Sequence, residues 1–170
     1  MQNKLIIKRA QESDTHIILE FIKKLAEYEK LSNEVTATTE QLRVTLFAED
    51  SNTHCLIGYY NERPVCFALY FFNYSTFLGK RGMYLEDLFV LTEMRGKGFG
   101  KQMLIVLAQI ASENDCGRFE WSVLDWNKPA IDFYDSLGAK PNSGWTVYRL
   151  DEKAIKKLLT ENKEIIKDGL

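Results

Sequence analysis

Cysteine, proline and histidine are scarce in this chain of 170 residues, with three, three and two copies. Cys55, Cys66 and Cys116 are odd in number and none stands in C-x-x-C spacing, which argues against a disulfide framework or a cysteine zinc site. Reduced, mostly buried thiols are expected. His16 and His54 lie in different elements without a partner four residues away, so no metal is assigned. No apolar run approaches the roughly 18 residues of a membrane span. Met1 to Arg9 reads as a short strand rather than a secretory leader, and the cytoplasm is the expected compartment. Positive charge is also lacking: 22 Lys and Arg face 24 Asp and Glu, a formal net charge of -2. That balance gives no basic field for nucleic acid and points to a small partner. A Pro/Gly/Ser-rich linker, an internal repeat and a low-complexity tract are all missing, which predicts one domain over residues 1–170.

What is present is an alternation of strand-like and helix-like stretches, the pattern of an α/β layer structure. Leu5 to Arg9 reads as a first strand. Ser13-Asp14 then offers a helix start before Ile17, Ile18, Phe21, Leu25 and Tyr28, which share one helical face. Thr38 to Gln41 resembles a capping box for a second helix through Phe47. Cys55 to Tyr60 and Val65 to Phe72 are apolar and aromatic runs around Asn61-Glu62-Arg63-Pro64, so a hairpin is predicted. Gly79 to Gly82 reads as a turn, Tyr84 to Leu91 as a strand, and Met103 to Ala111 as part of a long helix ending near Gly117. Phe119 to Leu124 is the next strand, and Pro129 to Leu137 a helix closed by Gly138. Thr146 to Leu150 is a last strand before an amphipathic stripe of Ile155, Leu158, Leu159, Ile165 and Ile166.

Between the strand ending at Leu91 and the long helix, Gly96, Gly98 and Gly100 fall within five residues. The first N–H groups of a helix have no intrahelical partner, and glycine lets an anion approach them closely. Arg95, Lys97 and Lys101 surround the same turn, so a diphosphate suits it. The spacing matches neither a P-loop nor a dinucleotide fingerprint, because Lys101 stands where the latter requires glycine. A glycine-rich connection that binds nothing is the alternative.

Arg95-x-x-Gly98-x-Gly100 after an apolar strand resembles the acyl-CoA signature Q/R-x-x-G-x-G/A of the GNAT acetyltransferases. Tyr84-Leu85-Glu86-Asp87-Leu88-Phe89-Val90, Trp126 to Tyr134 and Leu25-Ala26-Glu27-Tyr28-Glu29 are similar to the diamine (spermidine/spermine) N-acetyltransferase branch. The resemblance covers nearly the whole chain. It implies an α/β fold with a central, mixed but mostly antiparallel sheet, helices on both faces, and strands splayed at an acetyl-CoA site. By it, the pantetheine arm bonds to the backbone of Leu88, Phe89 and Val90. Arg95, Gly96, Lys97, Gly98, Phe99, Gly100 and Lys101 hold the pyrophosphate, and Asn127, Lys128, Pro129, Ala130 and Leu137 line the other side of the cofactor. A homodimer is implied as well.

Acetyl transfer by direct attack needs a neutral amine, a polarised thioester and a proton for the departing thiolate. The resemblance gives the last role to Tyr134, whose phenol, with a reference pKa of about 10, keeps its proton at neutral pH. It gives proton acceptance, through water, to Glu86. Strand alternation sets Glu86 on the opposite face from Asp87, so no shared-proton dyad is expected unless a bulge shifts the register, and Asp87 reads as structural. Tyr28, Glu29, Glu120, Trp121 and Ser122 are the expected amine pocket. Two departures matter: Ser75 and Ser143 stand where the polyamine branch has carboxylates. Lysine-like and thialysine-like amines therefore compete with diamines and polyamines as acceptors. The rival functions are a non-catalytic CoA or amine sensor and an acetyltransferase of protein lysines or N-termini.

Overall fold

A computed structural model of the chain describes residues 4–161. Five strands form one sheet in sequence order: β1 (Ile6–Arg9), β2 (Thr53–Tyr60), β3 (Arg63–Ser75), β4 (Lys80–Val90) and β5 (Arg118–Trp121). All neighbours are antiparallel except β4 and β5, which run parallel. Parallel neighbours need a long crossover, and α3 (Phe99–Glu113) supplies it. The β2–β3 hairpin turns on Asn61 and Glu62, with φ of 51° and 65°, the left-handed pair that a two-residue hairpin requires.

Helices flank both faces. In α1 (Thr15–Glu29), Phe21 stacks on Phe67 of β3 at 5.2 Å between ring centres and meets Phe89 of β4 edge-on at 6.4 Å. On the other face, Phe99 at the start of α3 packs against Tyr60 of β2. Between them Ile57, Val65, Phe67, Met83, Met103 and Leu107 are fully enclosed. Aromatic pairing of this kind adds about 0.5–1.5 kcal/mol beyond area burial. The short helix α2 (Thr39–Leu46) starts as its sequence foretells: Thr38 Oγ1 accepts the Gln41 N–H at 3.2 Å while Gln41 Oε1 accepts the Thr38 N–H at 2.9 Å.

The described residues divide into two compact units, the break falling between Ser122 and Val123. The second contains α4 (Lys128–Ser136) and α5 (Glu152–Glu161). Thr146 to Leu150, expected as a strand, forms no strand, and Val147 and Tyr148 stand almost fully exposed. Side-chain alternation favours an extended backbone, but a strand exists only where a neighbour takes its N–H and C=O groups. β5 is likewise shorter than expected, ending at Trp121 rather than Leu124, and Gly82 lies inside β4 rather than in a turn. Ile165 and Ile166 lie outside the described residues.

Candidate functional site

The ladder between β4 and β5 runs from the Gly82–Arg118 rung to the Leu85–Trp121 rung and stops. On its other side β4 stays paired with β3 as far as Val90. Glu86 to Val90 therefore present one edge with no strand beside it among the described residues of the first unit. Phe89 turns its side chain into the core against Phe21, which leaves its backbone as the part able to meet a ligand.

The register changes within β4. Asp87 lies opposite Leu69 and Leu85 lies opposite Tyr70, so Glu86 is the extra residue of a β-bulge. This is the bulge on which the expectation of opposite faces was conditional. With one residue inserted, Asp87 joins Tyr84 on the side of the sheet marked by Phe67 and Phe89, against which α1 packs. Glu86 is exposed beside it. Burial pushes the Asp87 carboxyl up to about 6, and the neighbouring charges of Glu86 and then Glu29 push the same way. Burial also raises Glu29, at the end of α1. Three carboxyls thus share one electrostatic field, and Asp87 is the member whose significance the sequence did not disclose. The available signal was two adjacent charges inside an apolar strand, a pattern strict alternation cannot bury comfortably.

Beyond Val90 the chain enters the glycine turn. Gly96 and Gly98 adopt φ of 80° and 77°, and a Cβ at either position would meet nothing within 4 Å. The turn is therefore open to an incoming group, and Gly98 caps α3. Two of its cations, Arg95 and Lys97, have partners. The Arg95 guanidinium lies 4.2 Å from the Tyr28 ring centre and 5.6 Å from that of Phe89, and its Nε donates to the Val90 carbonyl at 3.2 Å. Lys97 stands 5.3 Å over the Tyr60 ring, in a cleft of about 390 Å3 whose walls include Lys4, Phe99 and Gln102. Phe99 itself is core, so its N–H rather than its ring faces the turn's function.

Among the expected amine-pocket residues, Ser122 shares a 2.7 Å hydroxyl contact with Tyr84, which pairs with Glu120 across the sheet. Trp121, also assigned to the pocket, lies on the opposite face from Glu120, edge-on to Phe119 at 5.1 Å. Ser75, the last residue of β3, is buried and its Oγ accepts the Leu78 N–H at 3.4 Å, closing the turn that follows, while Ser143 is exposed in a turn of the second unit.

Within the second unit, Asn127 is buried and its Oδ1 accepts the Ala130 N–H at 3.4 Å, capping α4. Pro129 sits in the first turn of α4, and Lys128 pairs with Asp132 one turn on. Tyr134, half-buried, packs 5.5 Å from the Phe133 ring, and Leu137 follows the helix with its side chain exposed. Elsewhere, burial pushes the thiols of Cys55 and Cys66 up to about 12, so neither is a nucleophile at neutral pH.

Residues 20–139 match the Acetyltransferase (GNAT) family. The chain is 39% identical over 165 residues to thialysine N-ε-acetyltransferase of Sus scrofa, covering 91% of this chain and 96% of that protein. It is 32% identical over 159 residues to spermidine/spermine N(1)-acetyltransferase-like protein 1 of Homo sapiens, covering 88% of this chain and 23% of that one. Among solved structures, an integron cassette protein from the mobile metagenome of V. cholerae superimposes with a TM-score of 0.77 at 27% identity, over 91% of this chain and 96% of that one.

Proposed function

This chain belongs to the GNAT acetyltransferase family, and from that premise we propose that it moves the acetyl group of acetyl-CoA to a primary amine of a small molecule by direct attack in a ternary complex. One observation carries the reading. The edge of β4 without a strand beside it among the described residues of the first unit runs from the carboxyl-bearing bulge at Glu86 to Val90, one short 3-10 turn before the open turn at Gly96 and Gly98. An extended pantetheine arm adds to such an edge as a strand does, through backbone N–H and C=O groups of Leu88, Phe89 and Val90. The pyrophosphate then falls at the glycine turn, where the N–H groups of Phe99, Gly100 and Lys101 begin α3.

In this reading the carboxyls of Glu29, Glu86 and Asp87 attract a cationic amine. Glu86, at the surface, receives the amine's proton through water, and Asp87, whose carboxyl burial raises to about 6, shares that load. The Phe89 N–H polarises the thioester oxygen, and the Tyr134 hydroxyl protonates the leaving thiolate. The acceptor is a lysine-like or thialysine-like amine, or a diamine or polyamine. The similarity to a thialysine acetyltransferase supports the first, and the similarity to a spermidine/spermine acetyltransferase-like protein supports the second. A homodimer accompanies this reading, supported by the exposed apolar side chains of Trp145, Val147, Tyr148 and Leu150.

The test is thiol release from acetyl-CoA across a panel of diamines, polyamines, lysine analogues, amino acids and peptides. Turnover with small amines is expected. Tight CoA binding without thiol release from any of them would overturn the enzymatic assignment.

A further inference from the structure

Three strands bring Asn73, Gly82 and Arg118 into one row, and the next row toward the bulge is Phe71, Tyr84 and Glu120. The strand register puts both rows on the face that also carries Asp87. Gly82 has a specific reason to lack a side chain. A Cβ there would lie 2.1 Å from Asn73 Oδ1 and 3.0 Å from Arg118 Nε, so those two polar atoms converge over the glycine. Both are buried, and among the described residues neither has a hydrogen-bond partner. The Arg118 Nε approaches Glu120 Oε2 at 2.9 Å, but the angle makes no hydrogen bond. The guanidinium is otherwise anchored by its Nη2, which donates to the Tyr74 carbonyl at 3.3 Å.

A buried acceptor and a buried donor left unmatched side by side are costly, and native proteins keep few of them without a use. Here they lie next to an ion pair that is still accessible: the side chains of Arg118 and Glu120 are 38% and 35% exposed. A cation and an anion in contact, backed by an unmatched donor and acceptor, are complementary to a zwitterion. We propose that Asn73, Arg118 and Glu120 form the seat for the α-carboxylate and α-ammonium of an amino acid whose side-chain amine is the acetyl acceptor.

The proposal rests on the reading of the Glu86 bulge as the reactive end, and the spacing agrees with it. At about 3.3 Å per residue, the Tyr84–Glu120 row lies about 7 Å from Glu86 along β4 and the Gly82–Arg118 row about 13 Å. An extended side chain of four carbons and a nitrogen spans about 6 Å from its α-carbon. A lysine-sized acceptor with its amine at the carboxyls therefore brings its α-carbon to the Tyr84–Glu120 row, from which its carboxylate extends toward Arg118. The Tyr84 and Ser122 hydroxyls, bonded to each other, flank the path. Arg118 also disfavours a molecule with ammonium groups at both ends, because it sets a like charge where the second one would sit.

The experiment compares L-lysine and thialysine with cadaverine, which is lysine without its carboxyl, and with spermidine. The readouts are kcat and KM for wild type, Arg118→Gln, Arg118→Glu and Gly82→Ser, with CoA affinity measured on each variant to verify the fold. Wild type is expected to prefer lysine or thialysine to cadaverine by at least tenfold in kcat/KM. Arg118→Gln should lower that ratio tenfold through the KM of the amino acid, and Arg118→Glu should invert it. Gly82→Ser, which fills the notch and displaces Asn73 Oδ1 without adding or removing a charge, should lower the ratio in the same direction. Equal losses for all acceptors, or a wild-type preference for cadaverine or spermidine, would overturn the zwitterion seat and leave the acetyltransferase assignment intact. Absence of thiol release with every amine would overturn both.

Discussion

The Arg95 guanidinium lies 4.2 Å from the centre of the Tyr28 ring. Through this contact the residue that opens the glycine turn touches the last turn of α1, next to Glu29 of the carboxyl cluster. Arg95 is thus a brace between the two halves of the proposed site. Arg95→Ala is expected to raise KM for both acetyl-CoA and the amine, by about tenfold each. Arg95→Lys should not restore either, because an ammonium cannot stack and donate to the Val90 carbonyl together as the planar guanidinium does. A variant that changes only the acetyl-CoA constant would return Arg95 to a simple phosphate contact. Double-variant kinetics with Tyr28→Ala measure the coupling.

The acid-base division is tested at Tyr134. Tyr134→Phe is expected to lower kcat by about 100-fold or more, the usual range for loss of a positioned acid, while CoA affinity measured by calorimetry stays nearly intact. Turnover at the wild-type rate would remove the phenol from the mechanism.

Gly98 supplies conformation. Its φ of 77° is a region that costs a residue with a Cβ about 1–2 kcal/mol, although the space around it is open. Gly98→Val is expected to weaken CoA binding at least tenfold with a smaller loss of thermal stability, since the strain can relax by moving the turn away from α3. CoA affinity equal to wild type would exclude the turn as the phosphate site.

The Asp87 carboxyl gives two pH signatures. Its ordinary value of 3.8 is raised to about 6 in the fold, mostly by burial, with help from Glu86 and Glu29. Between those two values the folded chain holds a proton that the unfolded chain has released. The stabilising contribution of this group is therefore complete below about pH 4 and is lost as pH rises through about 6. Urea midpoints measured from pH 4 to 8 should show this decline in wild type and not in Asp87→Asn. In activity the sign reverses: the ionised cluster is the functional form, so kcat/KM should rise with pH through the same region, and Asp87→Asn should displace that limb.

Much of the architecture was readable in the chain because local rules and tertiary demands agree there. The hairpin around Asn61 and Glu62, the capping box of Thr38 and Gln41, and the glycine turn before α3 each carry their own chemistry. Glu86 was legible as a functional residue, whereas Asp87 read as structural, since the bulge beside it is decided by what β3 offers opposite. Thr146 to Leu150 misled for the converse reason, having a strand's pattern and no strand partner. Trp121 was grouped with Glu120 and Ser122 by adjacency in sequence, whereas a strand separates adjacent residues onto two faces. The row of Asn73, Gly82 and Arg118 joins positions up to 45 residues apart, which only the sheet register assembles.

The edge of β4 past Leu85, with no strand beside it among the described residues of the first unit, also bears on how this protein behaves in a tube. An unpaired strand edge is a template for other chains, and Glu86 is the exposed charge that guards this one. A bound arm along Leu88 to Val90 would occupy the same backbone groups that a second molecule needs. Purified without CoA, the enzyme should be more prone to associate and precipitate, and adding CoA should suppress that loss by denying other chains the place at which they would dock.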